Sequence, residues 1–391
     1  MRRARSGLAA RAAAATLALL AFGSGQAFAA PAGKPAPPPY TALDLGTLGG
    51  SSSTAIAVDR DTVVGGSSTA GDTEFHAYAY DRSTRVMTDL GTLGGTTSST
   101  VGVEGRHVIG DSLTAAGDER AFVYDLRTHH MRELGLGGSD SHVNAISGNI
   151  VVGSGWTAGN QGNHAFAYDA RTKVMTDLGS PIGPSGGSGA AGISGGRYVV
   201  GTWTGPGAQN GQAYVYDLRT KTWTDLSAHG GVSSRATSVS GHTVVGITQP
   251  RPGDAPHGFA YDIRTGAWTD LGTDMSYQPY VTGHTVLAGN RPAAYALDLT
   301  TGAVTKFGTA SSRTGINGVA GKYVAGDLYL GPFPYVYRVD THRFTQLPSL
   351  GGVYSTASAV DRHGAVVGTS GTAPSSPGGP DATYHATLWT R

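Results

Sequence analysis

The chain contains no cysteine. It can therefore form no disulfide, no thiolate-ligated zinc or iron–sulfur centre and no cysteine nucleophile. Charged side chains are also scarce, at 14% against about 25% in an average globular protein. No apolar run reaches the roughly 20 residues needed to span a bilayer as a helix. No window shows the 3.6-residue apolar period of an amphipathic helix. What the chain has instead is glycine, 61 residues of it in 391, with no three-residue period, which excludes a collagen helix. The 39% hydrophobic content, including 18 Tyr, 9 Phe and 5 Trp, is enough to build a core and argues against disorder. Short strands joined by tight turns are the expectation.

The first 29 residues read as a secretory signal peptide. Arg2, Arg3, Arg5 and Arg11 form a basic region, residues 12–22 are apolar, and Ala27-Phe28-Ala29 is a small-residue cleavage signal. Residues 30–39 follow as a proline-rich spacer. The expectation is a secreted, extracellular chain without a membrane span. Removing the four arginines from the 28 Lys and Arg leaves 24 basic against 27 acidic residues, and nothing predicts the basic face that a nucleic-acid binder presents.

Residues 40–391 are a repeat array. HAYAYD (76–81) returns as RAFVYD (120–125), HAFAYD (164–169), QAYVYD (212–217) and HGFAYD (257–262). Weaker copies are AAYALD (293–298), YVYRVD (335–340) and HATLWT (385–390). Each period runs from a small-residue stretch such as STAIAVD, through TVVGGS and a variable loop, to HAYAYD and then VMTDLGTLGG. These runs alternate apolar with small or polar residues and are bounded by glycine or aspartate, the pattern of short half-buried strands. Four strands in 36–50 residues is the layout of a propeller blade. DLGTLGG at 44–50 has no repeat before it, and the last repeat has no DLGTLGG after it. The two fragments are therefore expected to complete one blade. The predicted fold is all-β: an eight-bladed β-propeller of four-stranded blades, its ring closed by the N-terminal strand pairing with the last blade. Seven blades is the alternative, because the unit around Asp298 is short.

The HAF-x-YD and LGTLGG signatures resemble the HAF family of bacterial extracellular repeat proteins across residues 40–391, with Arg120, Gln212 and Tyr335 departing from the leading His. The resemblance implies a secreted or surface β-propeller without an assigned activity. A weaker likeness to the kelch repeat implies that the small-residue strand is innermost and VMTDLG outermost.

The repeated aspartates at 81, 125, 169, 217 and 262 suit hairpin turns, where a carboxylate accepts amides two or three residues on. One per blade cannot converge on an ion. The repeated histidines suit capping or packing, and no close metal-ligating pair of histidines is seen. No catalytic residues, metal site or cofactor are assigned. Departures from the repeat stand out more. At one position of the innermost strands most units carry small residues, whereas three carry His142, Arg235 and Tyr277. Trp156 and Trp203 follow the VVG strands of neighbouring units. These five residues are the expected ligand-binding set on the loop face, the tryptophans forming a platform for a sugar. Plugging of a wide channel explains the bulky residues equally well. The function expected is that of a monomeric, non-catalytic binding module for an extracellular glycan or protein. The alternative is a polysaccharide lyase or hydrolase built on Arg235, His142 and Tyr277.

Overall fold

A computed structural model describes residues 39–205, 210–229, 231–289, 293–308, 313–329, 333–373 and 383–391. The signal-peptide assignment and all of the spacer except Pro39 lie outside the described residues, as does the middle of the 370–384 loop. Among the described residues the structure is all-β apart from two single 3-10 turns, Ala158–Asn160 and Thr273–Met275. No helix in them is long and apolar enough to cross a membrane.

The strands form four-stranded antiparallel sheets. Sheet 1 spans 49–91, sheet 2 spans 94–134, sheet 3 spans 137–179 and sheet 4 spans 187–225. Sheet 5 spans 233–272, sheet 6 spans 280–307 and sheet 7 spans 314–346. Sheet 8 consists of Gly351–Val360, Val366–Thr372, Tyr384–Thr390 and, from the other end of the chain, Thr41–Asp44. Sheets 1 and 2 are also bridged by one parallel pairing, Phe75 with Thr97. Thr41–Asp44 pairs antiparallel with the last strand, Thr41 opposite Thr390 and Asp44 opposite Thr387. In sheets 1 to 7 the first strand in sequence lies at one edge and the fourth at the other.

The apolar residues of the middle strands leave both faces of each sheet, and the core sits between sheets. Val64, Leu90 and Ala77 of sheet 1 pack with Val108 and Phe122 of sheet 2. Equivalent clusters join sheet 2 to 3, 3 to 4, 4 to 5, 6 to 7 and 7 to 8. Another joins sheet 8 to sheet 1, with Val367 and Leu388 against Val63 and Tyr80. The cluster between sheets 5 and 6 is thin, centred on Val245, Ala260, Val281 and Val286. At roughly 1.5–3 kcal/mol for each fully buried large aliphatic or aromatic side chain, these interfaces are the main favourable contribution to the fold.

The repeated polar residues have structural work. Asp81 Oδ1 accepts the amides of Ser83 and Thr84, and Asp262 those of Arg264 and Thr265, which fixes the hairpin between third and fourth strands. The Ser83 hydroxyl, with the two amides, holds the Asp81 carboxyl below the usual range, and for Asp262 desolvation pushes the carboxyl up but the amides and Arg264 together bring it below that range. The leading histidines reach the outer strand: His76 to Asp89, His164 to Asp177, His257 to Asp270 and His385 to Asp44, all at 2.8–3.1 Å. The glycine of the VVG strand is dictated by close approach. A Cβ on Gly65 would stand 1.8 Å from the Thr54 carbonyl oxygen, and one on Gly153 would stand 2.0 Å from that of His142.

Sheet 7 corrects one register in the repeat alignment. Arg338 lies opposite Tyr323 as Asp81 lies opposite Thr62. The copy is therefore FPYVYR (333–338), two residues earlier than YVYRVD, and Phe333 rather than Tyr335 takes the place of the leading His.

Candidate functional site on the loop face

The loops joining second to third strands and the starts of the innermost strands lie at one end of each sheet. Three of the five residues singled out from sequence occupy that end of the innermost elements. His142 pairs with Ser154, and Arg235 with Ile247, at the register where Thr54 pairs with Gly66. Tyr277 lies outside the strands, because the first strand of sheet 6 shortens to Tyr280–Thr282, and it is 59% exposed. The three belong to sheets 3, 5 and 6, and no hydrogen bond or ion pair joins them to one another.

The two tryptophans turn toward the same seam, between sheets 3 and 4. Trp156 pairs with Asn163 and Trp203 with Gln212. Measured from the VVG glycine of each strand, Gly153 and Gly201, they are three and two residues on. Trp156 thus shares a face with Ile150 and Val152, and Trp203 with Val199, the faces that pack sheet 3 against sheet 4. Trp203 is half-buried and its Nε1 donates to Asp225 at 3.1 Å, replacing the His–Asp pair where the sequence has Gln212. Arg235 lines an open cleft of about 350 Å³ together with Thr202, Ile247, Thr248 and Gln249.

The structure assembles an aromatic surface that repeat counting missed. Tyr329 is 61% exposed and follows the second strand of sheet 7, which ends at Leu328, and Phe333 opens the third strand and is also exposed. From sheet 8, Tyr354 and Tyr384 are exposed and stack edge to face with centroids 5.9 Å apart. Tyr277 and Tyr354 both act on Tyr329: its phenol is pushed up first by burial, then by Asp327, Tyr277 and Tyr354, and drawn down by Arg313. Tyr277 and Tyr354 thus lie within electrostatic range of Tyr329, and the ring contact among the four is that of Tyr354 with Tyr384. The signal available was weak: Tyr354 stands where the first two units carry Ser52 and Thr97, whereas Tyr384 stands where they carry Phe75 and Glu119.

Two aspartates occupy the position of Gly66 in the second strand. Asp327 accepts the Ala357 amide of sheet 8 at 2.8 Å and the Asn317 side chain at 2.6 Å. Asp111 accepts the Val143 amide of sheet 3 at 3.1 Å. Both are tucked between sheets, and desolvation raises both carboxyls, that of Asp327 to about 6.

Against known proteins, the chain matches no family model and no curated protein. Solved structures do resemble it. The Dos1 propeller superposes with a TM-score of 0.55 at 12% identity, over 90% of this chain and 94% of that one. A prolyl endopeptidase structure also gives 0.55, at 11% identity over 81% of this chain, which spans only 51% of that one. The chain is a β-propeller. At these identities the likeness shows the fold alone.

Proposed function

We propose that this is a secreted, eight-bladed closed propeller that binds an extracellular glycan, without catalysis, on the loop face of blades 6 to 8. The observation that carries the reading is the set of exposed tyrosines, Tyr277, Tyr329, Tyr354 and Tyr384, gathered from three consecutive blades. Tyrosine rings offer flat apolar faces to a pyranose and hydroxyls to its edges, and Arg313 beside Tyr329 adds a donor. Closure is supported by the pairing of Thr41–Asp44 with the last strand and by a packed cluster between blades 8 and 1 of the same kind as the others. The sequence supplies the address through its export signal.

The enzymatic alternative draws no support from the site. Acid–base chemistry requires its groups within hydrogen-bond reach of one substrate atom, and His142, Arg235 and Tyr277 project from three different blades. The test is a glycan array on the mature protein, followed by calorimetry on the best ligand. Tyr329→Ala and Tyr354→Ala should each weaken binding about five- to thirtyfold, the loss of one stacking face. Absence of any glycan ligand at millimolar concentration, or full affinity in both variants, would overturn the proposal.

A further inference from the structure

A second group of ligating side chains lies at the seam between blades 2 and 3. Asp111 Oδ2 stands 3.6 Å from His142 Nδ1, and a carboxylate oxygen of Glu119 completes a trio whose ligand atoms all lie within 4.8 Å of one another. Elsewhere in the protein, a histidine paired with a carboxylate closes to 2.8–3.1 Å, as at His76, His164, His257 and His385. His76 engages both ring nitrogens, the second with Glu74 at 3.3 Å. The blade 2–3 trio is different. The His142 ring and the Asp111 oxygen stand 3.6 Å apart, the Glu119 carboxylate has no hydrogen-bond partner among the described residues, and the other Asp111 oxygen is held by the Val143 amide.

We propose that Asp111, Glu119 and His142 form a binding site for one divalent transition cation of the Zn²⁺ type. Ligand atoms about 2.0–2.1 Å from a tetrahedral zinc are about 3.4 Å from one another, close to the separation seen between His142 and Asp111. Asp111 is the fixed member, because its strand is central in the blade and its second oxygen is anchored across the seam. His142 is presented by the next blade. Glu119 opens the third strand of blade 2 and is exposed, so its stem can rotate to close the last gap. One imidazole with two carboxylates suits zinc-like cations, whereas calcium requires six to eight oxygens. Three protein ligands leave a coordination position open toward the loop face. The site goes beyond the glycan reading and lies on other blades.

Calorimetric titration of the full mature chain with Zn²⁺ tests it, with Ca²⁺ as the comparison and folding of each variant checked by circular dichroism. One saturable equivalent of Zn²⁺ is expected, unaffected by equal Ca²⁺. Affinity should fall at least tenfold in His142→Ala and in Asp111→Asn, which retains an acceptor for the Val143 amide, and less in Glu119→Gln. His130→Ala, a hairpin histidine away from the seam, should bind as wild type does. No saturable binding, a Ca²⁺ preference, or equal affinity in wild type and His142→Ala would overturn the site. Loss in His130→Ala equal to that in His142→Ala would also overturn it, by showing scattered histidine binding.

Discussion

The Ser53 hydroxyl accepts the amide of Ala386 at 2.8 Å, across 333 residues of sequence, and donates to the Gly46 carbonyl at 2.6 Å. Ser98 does the same one blade later, accepting from Ala77 at 2.8 Å and donating to Gly91 at 2.6 Å. Ser141 repeats it with Ala121 and Leu134. Each serine is buried and clamps its blade to the one before. The contact between the two ends of the chain is thus chemically equivalent to an interior one.

Removing such a clamp leaves a buried amide without a partner, at about 1–3 kcal/mol, and loses a further net hydrogen bond of about 1 kcal/mol. Ser53→Ala and Ser98→Ala should therefore each destabilise by roughly 2–4 kcal/mol in chemical denaturation. Equal losses are what a closed ring requires. If Ser53→Ala proves neutral while Ser98→Ala does not, the blade 8–1 contact is not a structural joint.

The VVG glycines give a second prediction. Gly153→Ala places a methyl 2.0 Å from the His142 carbonyl oxygen and 2.8 Å from the Phe166 ring. Since backbone blocks it on one side, the cost should reach or exceed about 3 kcal/mol, the upper end for overpacking. Blade 6 is the internal control. It carries Ala288 at this position, and its first strand pairs only over Tyr280–Thr282, so no innermost strand residue lies opposite. Ala288→Gly should cost no more than about 1 kcal/mol, as read by urea midpoints.

The blade unit was legible in the sequence because strand alternation, turn aspartates and glycines are local rules repeated many times. Asp81 does in the structure what its spacing suggested. The inter-blade serines were hidden, since their partners are backbone groups in another repeat and small residues around them carry no distinguishing pattern. The candidate site was only partly legible. Tyr277 marked a break in the repeat, but Tyr329, Tyr354 and Tyr384 gain significance only once blades 6 to 8 are placed side by side. Trp156 and Trp203 drew attention by residue type, and their registers turn both toward the seam between blades 3 and 4, away from blades 6 to 8.

Trp203 provides a third test. Its indole N–H reaches Asp225 and its ring packs partly against the blade 3–4 core. Trp203→Phe should lower stability by about 1 kcal/mol, one hydrogen bond, and leave affinity for the ligand of blades 6 to 8 unchanged. A tenfold loss of affinity with unchanged stability would return this tryptophan to the binding surface.

Asp327 supplies a pH-dependent prediction. The residue is 8% exposed, and desolvation lifts its carboxyl from an ordinary 3.8 to about 6, with the Ala357 amide and Asn317 opposing the rise. Between those values the folded chain binds the proton that the unfolded chain has released, so this group makes stability fall as pH rises from about 4 to about 6. Above pH 6 the ionised carboxylate weighs on the fold by roughly 3 kcal/mol, from about two pKa units at 1.36 kcal/mol each. Asp327→Asn removes that charge and keeps an oxygen for the Ala357 amide, but it sets an amide group against Asn317 and loses about 1 kcal/mol of hydrogen bonding. The variant should be more stable than wild type by about 1–2 kcal/mol at pH 7.5, an advantage that shrinks toward zero by pH 4.5. Every other titrating group is common to both proteins, so the difference isolates this carboxyl. A stability difference that stays constant across that pH range would mean that Asp327 ionises as an ordinary surface acid.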